Sequence, residues 1–467
     1  MHRARLLPLL MTASALAAPP AIGAQSTAYV VTTDFATGSL ATIDLDTRAA
    51  TPNLASVHSD ARARWHDGLL YVVNRFGQDN VQVIDPAQGF ATVQQFSTGA
   101  GSNPHDIAFI SPAKAYVTRY ELADLLIVNP QTGAALGTIP LGAFADADGI
   151  PEMDQMIRVG SRVFVSVQRL DRNAGFTPAD SSLIVVIDSD TDTVVDANPA
   201  QAGTQAIRLT GTQPFTGFAF DQTTSRLLIG CVGFFGALDG GIERIDPVYL
   251  KSDGFAITEA ALGGDVNHFV WGDAGRSWAI VSDASFNTLL VAWSEATGAL
   301  TDTVFAPGGF SLADAALNDR GELYVAKNDF VSPGVWVFDA ASGSALAGPL
   351  DTGLPPFQIV FDENTGSVAS VPPADEGLAL APAWPNPASS AVRFTVALER
   401  AGALDVRVYD VSGRRVRTLF AGDAAAGPRE LIWNLRDQAG ARVRAGVYWL
   451  SARADGPARS RRVVVLP

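Results

Sequence analysis

The chain has a single cysteine, Cys231, in 467 residues, with four methionines and five histidines. One cysteine excludes an internal disulfide. Its place in the apolar run Leu227-Leu228-Ile229-Gly230-Cys231 reads as a small buried hydrophobe rather than a nucleophile. Five histidines leave little room for metal chemistry, and His2 falls in a leader-like stretch. Phosphate-binding loops, dinucleotide-binding glycine runs and nucleophile motifs are missing, and no cofactor is implied. Apolar runs long enough to cross a membrane are missing too. The stretch Leu6 to Ala18, after Arg3 and Arg5, is too short to span a bilayer and is broken by Pro19 and Pro20. With the small residues up to Ala24 it reads as a secretory signal over residues 1–24, cut after Gly23 or Ala24. The expectation is an exported protein, extracellular or on the outer-membrane surface with the periplasm as alternative, and no transmembrane segment after cleavage.

Positive charge is scarce where most of the chain lies. Between Leu378 and Pro467, fourteen Arg face seven Asp and Glu, a surplus of +7 within a total of −15, so the residues before carry −22. That bulk charge opposes nucleic acid and anionic lipid as partners.

What is abundant is one phrase, repeated seven times: an apolar strand, a polar loop that often bears an aromatic, and a second apolar strand usually ending in Asp. The clearest copy runs Leu70-Tyr71-Val72-Val73-Asn74, a short gap, then Asn80-Val81-Gln82-Val83-Ile84-Asp85. The others span Ala28–Asp44, Ala115–Asn129, Val163–Asp188, Arg226–Asp246, Trp278–Ser294 and Leu323–Asp339. A further strand precedes each phrase or closes the set: Asp60–Trp65, His105–Ile110, Met153–Arg158, Phe215–Asp221, His268–Trp271, Leu312–Leu317 and Phe357–Phe361. A fourth follows the Asp, as in Ala134–Leu141. Four strands per unit and seven units predict an all-β, seven-bladed β-propeller over residues 25–371. Because the chain begins on a second strand, Phe357–Val371 is expected to supply the missing first strand and close the ring.

Residues 372–382, opening on Pro372-Pro373-Ala374-Asp375-Glu376-Gly377, read as a linker. Residues 383–467 read as a small Ig-like β-sandwich with strands at Val392–Leu398, Leu404–Tyr409, Val416–Phe420, Glu430–Asn434, Gly446–Ala452 and Arg461–Leu466.

Tyr71-Val72-Val73-Asn74 with Val83-Ile84-Asp85, Tyr116-Val117-Thr118, Val185-Val186-Ile187-Asp188 and Tyr324-Val325-Ala326 resemble the YVTN family of seven-bladed propellers. The copies at Arg226–Asp246 and Trp278–Ser294 depart from that pattern. Pro385-Asn386-Pro387, Val408 through Val416, Trp433-Asn434 with Asp437 and Gly440, and Gly446-Val447-Tyr448 resemble the FlgD-type Ig-like domain and the related C-terminal sorting domain of type IX (Por) secretion. That resemblance implies export machinery as a partner, or surface attachment. The final Leu466-Pro467, with Arg459, Arg461 and Arg462 where sorting signals often carry Lys, departs from the sorting pattern.

Asp188-Ser189-Asp190-Thr191-Asp192 has acidic spacing but lacks the glycine and distal Glu of a calcium loop, so it reads as a polar turn. Asp146, Asp148, Glu152 and Asp154 read as a solvated acidic loop. His105 and His268 stand at the start of first strands three blades apart, with Asp106, Asp154, Asn267 and Asp314 as neighbours in the channel. The loop after each second strand carries Asp34-Phe35, Arg75-Phe76, Arg119-Tyr120, Arg169-Leu170, Gly233-Phe234, Asp283 to Phe286 and Asp329-Phe330. Aromatics beside charges of both signs suit a peptide, glycan or protein ligand. The candidate face is therefore Arg75, Phe76, His105, Asp106, Arg119, Tyr120, Asp154, Arg169, His268, Phe286, Asp329 and Phe330, with no catalytic or metal residue assigned. The reading is a non-enzymatic binding module. Its alternatives are a metal-assisted lyase or hydrolase using His105, Asp154 and His268, and a structural or adhesive surface protein.

Overall fold

The computed structural model describes residues 25–272, 275–362, 378–380, 388, 391–398, 401–410, 413–425, 427–454 and 458–466. The expected signal at 1–24, most of the expected linker and Pro385-Asn386-Pro387 lie outside the described residues.

Second and third strands of each unit are mostly apolar and buried along most of their length, as in Leu69–Asn74 and Leu183–Asp188, because both faces pack against neighbouring sheets. Outer strands such as Ala91–Ser97 are largely exposed and correspondingly polar. The result is seven antiparallel blade sheets between Thr27 and Phe361, with a two-stranded ribbon, Leu170–Asp171 and Thr177–Pro178, set in a loop of one of them. Six have four strands in simple order; in the fourth blade the outer strand is split between Thr193–Val194 and Ile207–Arg208, both paired to Leu183–Asp188. Buried clusters lie between sheets: Tyr116, Leu125 and Ile127 of the third blade pack with Met156, Val163 and Val185 of the fourth.

The first strands are Pro356–Phe361, Ala61–His66, Pro104–Ser111, Met153–Val159, Pro214–Asp221, Asp265–Val270 and Leu312–Leu317, in blade order. Each touches the next, and Pro356–Phe361 touches both Leu312–Leu317 and Ala61–His66, so the ring closes. Closure is as expected from the sequence: Thr27–Thr33 pairs antiparallel with Pro356–Phe361, Ala28 opposite Phe361. Asp362 Oδ1 accepts the Ser26 and Thr27 N–H groups at 2.8 and 3.0 Å and fastens the joint. The architecture is a seven-bladed β-propeller.

Two boundaries differ from the sequence reading. The strand bearing His268 begins at Asp265, not at the histidine, because Asp265 pairs with Ser282. His268 therefore sits midway along its strand. Leu378–Leu380, inside the expected linker, is a strand paired with Val392–Leu398. It belongs to the C-terminal sandwich, whose sheets are Leu378–Leu380, Val392–Leu398 and Gly427–Trp433 on one side and Arg415–Ala424, Gly402–Asp410, Gly446–Arg453 and Arg459–Val465 on the other. Trp433, fully buried, anchors this core edge-on to Tyr448 at 5.2 Å. Gly413, at φ 78°, takes a left-handed turn position, its N–H donating to Asp410 O at 2.9 Å. Among the described residues no helix is long and apolar enough to cross a membrane.

Candidate functional site

Antiparallel order puts the loops after second and fourth strands on one face of the ring and the loops after first and third strands on the other. The phrase-ending Asp belongs to the latter face and is used in turns. Asp44 Oδ1 accepts Asp46 and Thr47 N–H at 3.0 and 2.7 Å, and Asp246 Oδ1 accepts Val248 and Tyr249 N–H at 2.8 and 2.9 Å. Asp188 does the same for Asp190 and Thr191, so that acidic run is a turn.

The opposite face is different. Among the described residues, the nine exposed phenylalanines of the ring, Phe35, Phe76, Phe176, Phe215, Phe234, Phe235, Phe286, Phe310 and Phe330, all lie on it, in second-to-third loops or where the chain comes into a first strand. Phe76, Phe286 and Phe330 are 69, 65 and 67% exposed. Phe35, Phe176 and Phe286 hold φ of 66, 61 and 60°. A left-handed backbone costs a residue with a Cβ about 1 to 2 kcal/mol, and core packing does not offset it at an exposed ring. Phe35 meets Phe330 at 6.4 Å and Phe357 at 6.3 Å, both edge-on, which joins the seventh and first blades in one apolar patch.

Inside the channel, bulges in six of the seven first strands re-aim side chains near this face. Below them a belt of polar side chains laces one first strand to the next. Asp106 Oδ2 accepts Met156 N–H at 2.8 Å, Asp314 Oδ2 accepts Ile359 N–H at 2.7 Å, and Gln358 Oε1 accepts Ala63 N–H at 2.7 Å. The remaining channel cavity, about 180 Å³, is bounded by Arg64, Phe218, His268, Asp314 and Gln358 among others.

This lacing engages several of the candidate residues. Asp106 is buried and gripped by Arg64, Nε and Nη2 donating at 2.7 and 2.9 Å. Asp154 is buried against His105, Nδ1 to Oδ1 2.8 Å. Burial pushes the Asp154 carboxyl up, but His105, through its hydrogen bond and charge, and then Gln155 hold it below the usual carboxylate range. Tyr120 stacks on His105 at 4.2 Å and donates to Gln168 at 2.7 Å, so it is a packing residue, and burial raises its hydroxyl. Arg119 is buried on Asp124 and the Thr98 carbonyl. Asp329 pairs with Lys327 and caps Val331 and Ser332. Arg75 donates to Asp60 at 3.0 Å. Arg169 bonds the Ser181 carbonyl at 2.7 Å and borders a separate surface pocket of about 360 Å³ with Asp146 and Asp171.

The histidines of the metal alternative are engaged by protein groups as well. His268 Nε2 donates to Ala315 O at 2.9 Å and lies 3.4 Å from Asp314 of the adjoining first strand. Among the described residues no three His, Cys, Asp or Glu are arranged to hold an ion. The acidic loop is tied together by one arginine: Arg172 pairs with Glu121 and with Glu152 at 3.0 Å, and its N–H donates to Asp148. Burial pushes Glu152 up to about 7 against the Leu170 N–H and Arg172, and Glu259 up to about 7 against the Val266 and Gly240 N–H groups.

Phe76, Phe286 and Phe330 remain as free surface from the candidate set. Sequence reading missed Arg62 and Phe357. Arg62 lies 4.4 Å over the Phe357 ring at the channel mouth. The signal was present in Ala61-Arg62-Ala63-Arg64, where the two buried alanines force both arginines to the channel side.

The FlgD Ig-like domain family matches residues 386–457, within the sandwich. No curated protein matches the chain in sequence. Similar solved structures include PorZ, described as an essential bacterial surface component of the type-IX secretion system of Porphyromonas gingivalis, at 14% identity and TM-score 0.44 over 92% of this chain; the chain spans 64% of that protein's length. AztD of Citrobacter koseri is similar at 14% identity and TM-score 0.46, covering 72% of this chain and 97% of its own. A functionally unknown protein of Desulfotomaculum acetoxidans is similar at 14% identity and TM-score 0.49, covering 72% and 99%. In class, then, the chain is an all-β propeller followed by an Ig-like domain.

Proposed function

We propose that this is an exported binding protein. Residues 1–24 act as its signal, a propeller of the YVTN kind presents the ligand face, and the Ig-like domain serves export, as in type IX sorting, or attachment at the cell surface. The observation that carries the binding reading is the set of exposed phenylalanines confined to one face, three of them in left-handed backbone that folding alone does not reward. Peptide, glycan or protein ligands suit such a face. The test is a triple substitution, Phe76→Ala, Phe286→Ala and Phe330→Ala, read by retention on peptide and glycan arrays and by thermal unfolding. Retention should vanish with Tm unchanged; equal retention, or a large fall in Tm, refutes the reading. For the C-terminal domain, deletion of residues 378–467 should trap the chain inside the envelope, and normal release would remove the export role.

A further inference from the structure

The channel mouth holds a cation whose side chain has no ion-pair partner among the described residues. Among the described residues the Arg62 side chain makes no hydrogen bond and no ion pair; its one contact of note is the face of Phe357. The nearby carboxylates are engaged elsewhere: Asp60 with Arg75, Asp154 with His105, Asp106 with Arg64, and Asp314 with the Ile359 N–H. Burial, and then the positive charge of Arg75, depress the Arg62 guanidinium, against the longer-range pull of Asp314, Asp60 and Asp154. A partly buried guanidinium left unpaired is costly to folding and is suited to take up an anion bidentately.

Beside it lies apolar surface. Phe357, under Arg62, is edge-on to Phe35, and Phe35 to Phe330. We infer that the loop face takes a peptide segment carrying one carboxylate beside an apolar side chain, with the carboxylate on Arg62 and the apolar group among Phe35, Phe330 and Phe357. This inference rests on the binding reading above. A peptide is favoured over a glycan because phenylalanine lacks the hydroxyl or N–H that sugar hydroxyls would use, and the edge-on rings present no flat stacking platform. A single carboxylate is favoured over an acidic run because the residues before Leu378 carry −22, which repels added negative charge beyond the reach of Arg62.

The test pans random displayed decapeptides on the full chain, then measures fluorescein-labelled hits by polarisation. Enriched peptides should carry one Asp or Glu within a few residues of an aromatic or aliphatic side chain. Changing that residue to Asn or Gln should weaken binding about tenfold or more, as expected for a charge-assisted bidentate pair. Arg62→Gln should weaken the acidic peptide by a similar factor and leave the amide version unchanged, while Arg62→Lys retains part of the affinity. Tm of each variant checks folding, and unpairing predicts that Arg62→Gln does not lower it. Binding that survives Arg62→Gln but is lost in Phe330→Ala overturns the carboxylate assignment and leaves the aromatic face standing. Retention of an acidic polysaccharide such as polygalacturonate with no peptide enrichment overturns the peptide assignment in favour of a glycan. Absence of binding to both probes overturns this inference and the binding reading together.

Discussion

His105 Nδ1 lies 2.8 Å from Asp154 Oδ1 across the joint between the third and fourth blades, and Tyr120 covers the imidazole at 4.2 Å. The pair thus binds two blades, and Asp154 also accepts from Gln155 and Gln168 at 2.8 and 2.9 Å. Asp154→Ala should leave three donors unmatched and destabilise by about 3 to 5 kcal/mol, with Asp154→Asn milder because one acceptor survives. Urea unfolding measures both; a loss below about 1 kcal/mol for the alanine variant would contradict the role.

The Arg64–Asp106 pair predicts strong coupling. Asp106→Ala removes the acceptor of Arg64 and of the Met156 N–H and should cost about 3 to 5 kcal/mol. Arg64→Met alone leaves Asp106 buried with backbone donors, a smaller loss. In a double-mutant cycle the combined loss should fall short of the sum by at least about 1 kcal/mol, and simple additivity would show that the two do not act as a unit.

Phe286 offers a separation of stability from binding. Its backbone is held at φ 60° by the turn that Asp283 caps through Ser285 and Asn287 N–H. Asparagine tolerates that region, so Phe286→Asn should raise stability by up to about 1 kcal/mol while weakening retention on the arrays. A fall in Tm would mean that the ring packs in a way its 65% exposure does not reveal.

Two buried carboxyls give the ring a pH dependence. Glu152 and Glu259 shift from the usual 4.5 to about 7, because burial outweighs their hydrogen bonds. Folding therefore favours the protonated form. Their contribution is fully present below pH about 4.5 and is lost as pH rises through about 7. Tm should fall between pH 5 and 8, and the combined Glu152→Gln and Glu259→Gln variant should show a flatter profile. An unchanged slope would place the titration in other groups.

Much of the ring was legible in local sequence. Leu70 to Asn74 and Leu183 to Asp188 are apolar because a strand between two blades is buried on both faces, and that signal needs no knowledge of the partner. Leu378–Leu380 was not legible: three residues carry no periodicity, and only pairing with Val392–Leu398 makes them a strand. His268 was misplaced for a related reason, since the bulge between Val266 and His268 breaks the alternation that would mark the start of the strand.

The sequence by itself determined the blades, their number, the closing strand and the aromatic loops, because each is written in a contiguous stretch whose burial follows from its own pattern. Only the tertiary structure decided which charged residues are spent and which are free. His105 and Asp154 come from different blades, as do Arg64 and Asp106, and Arg62 and Phe357 come from opposite ends of the ring. Closing the ring creates those neighbours, and the strength of a charge depends on what lies within a few ångströms rather than on its place in the chain.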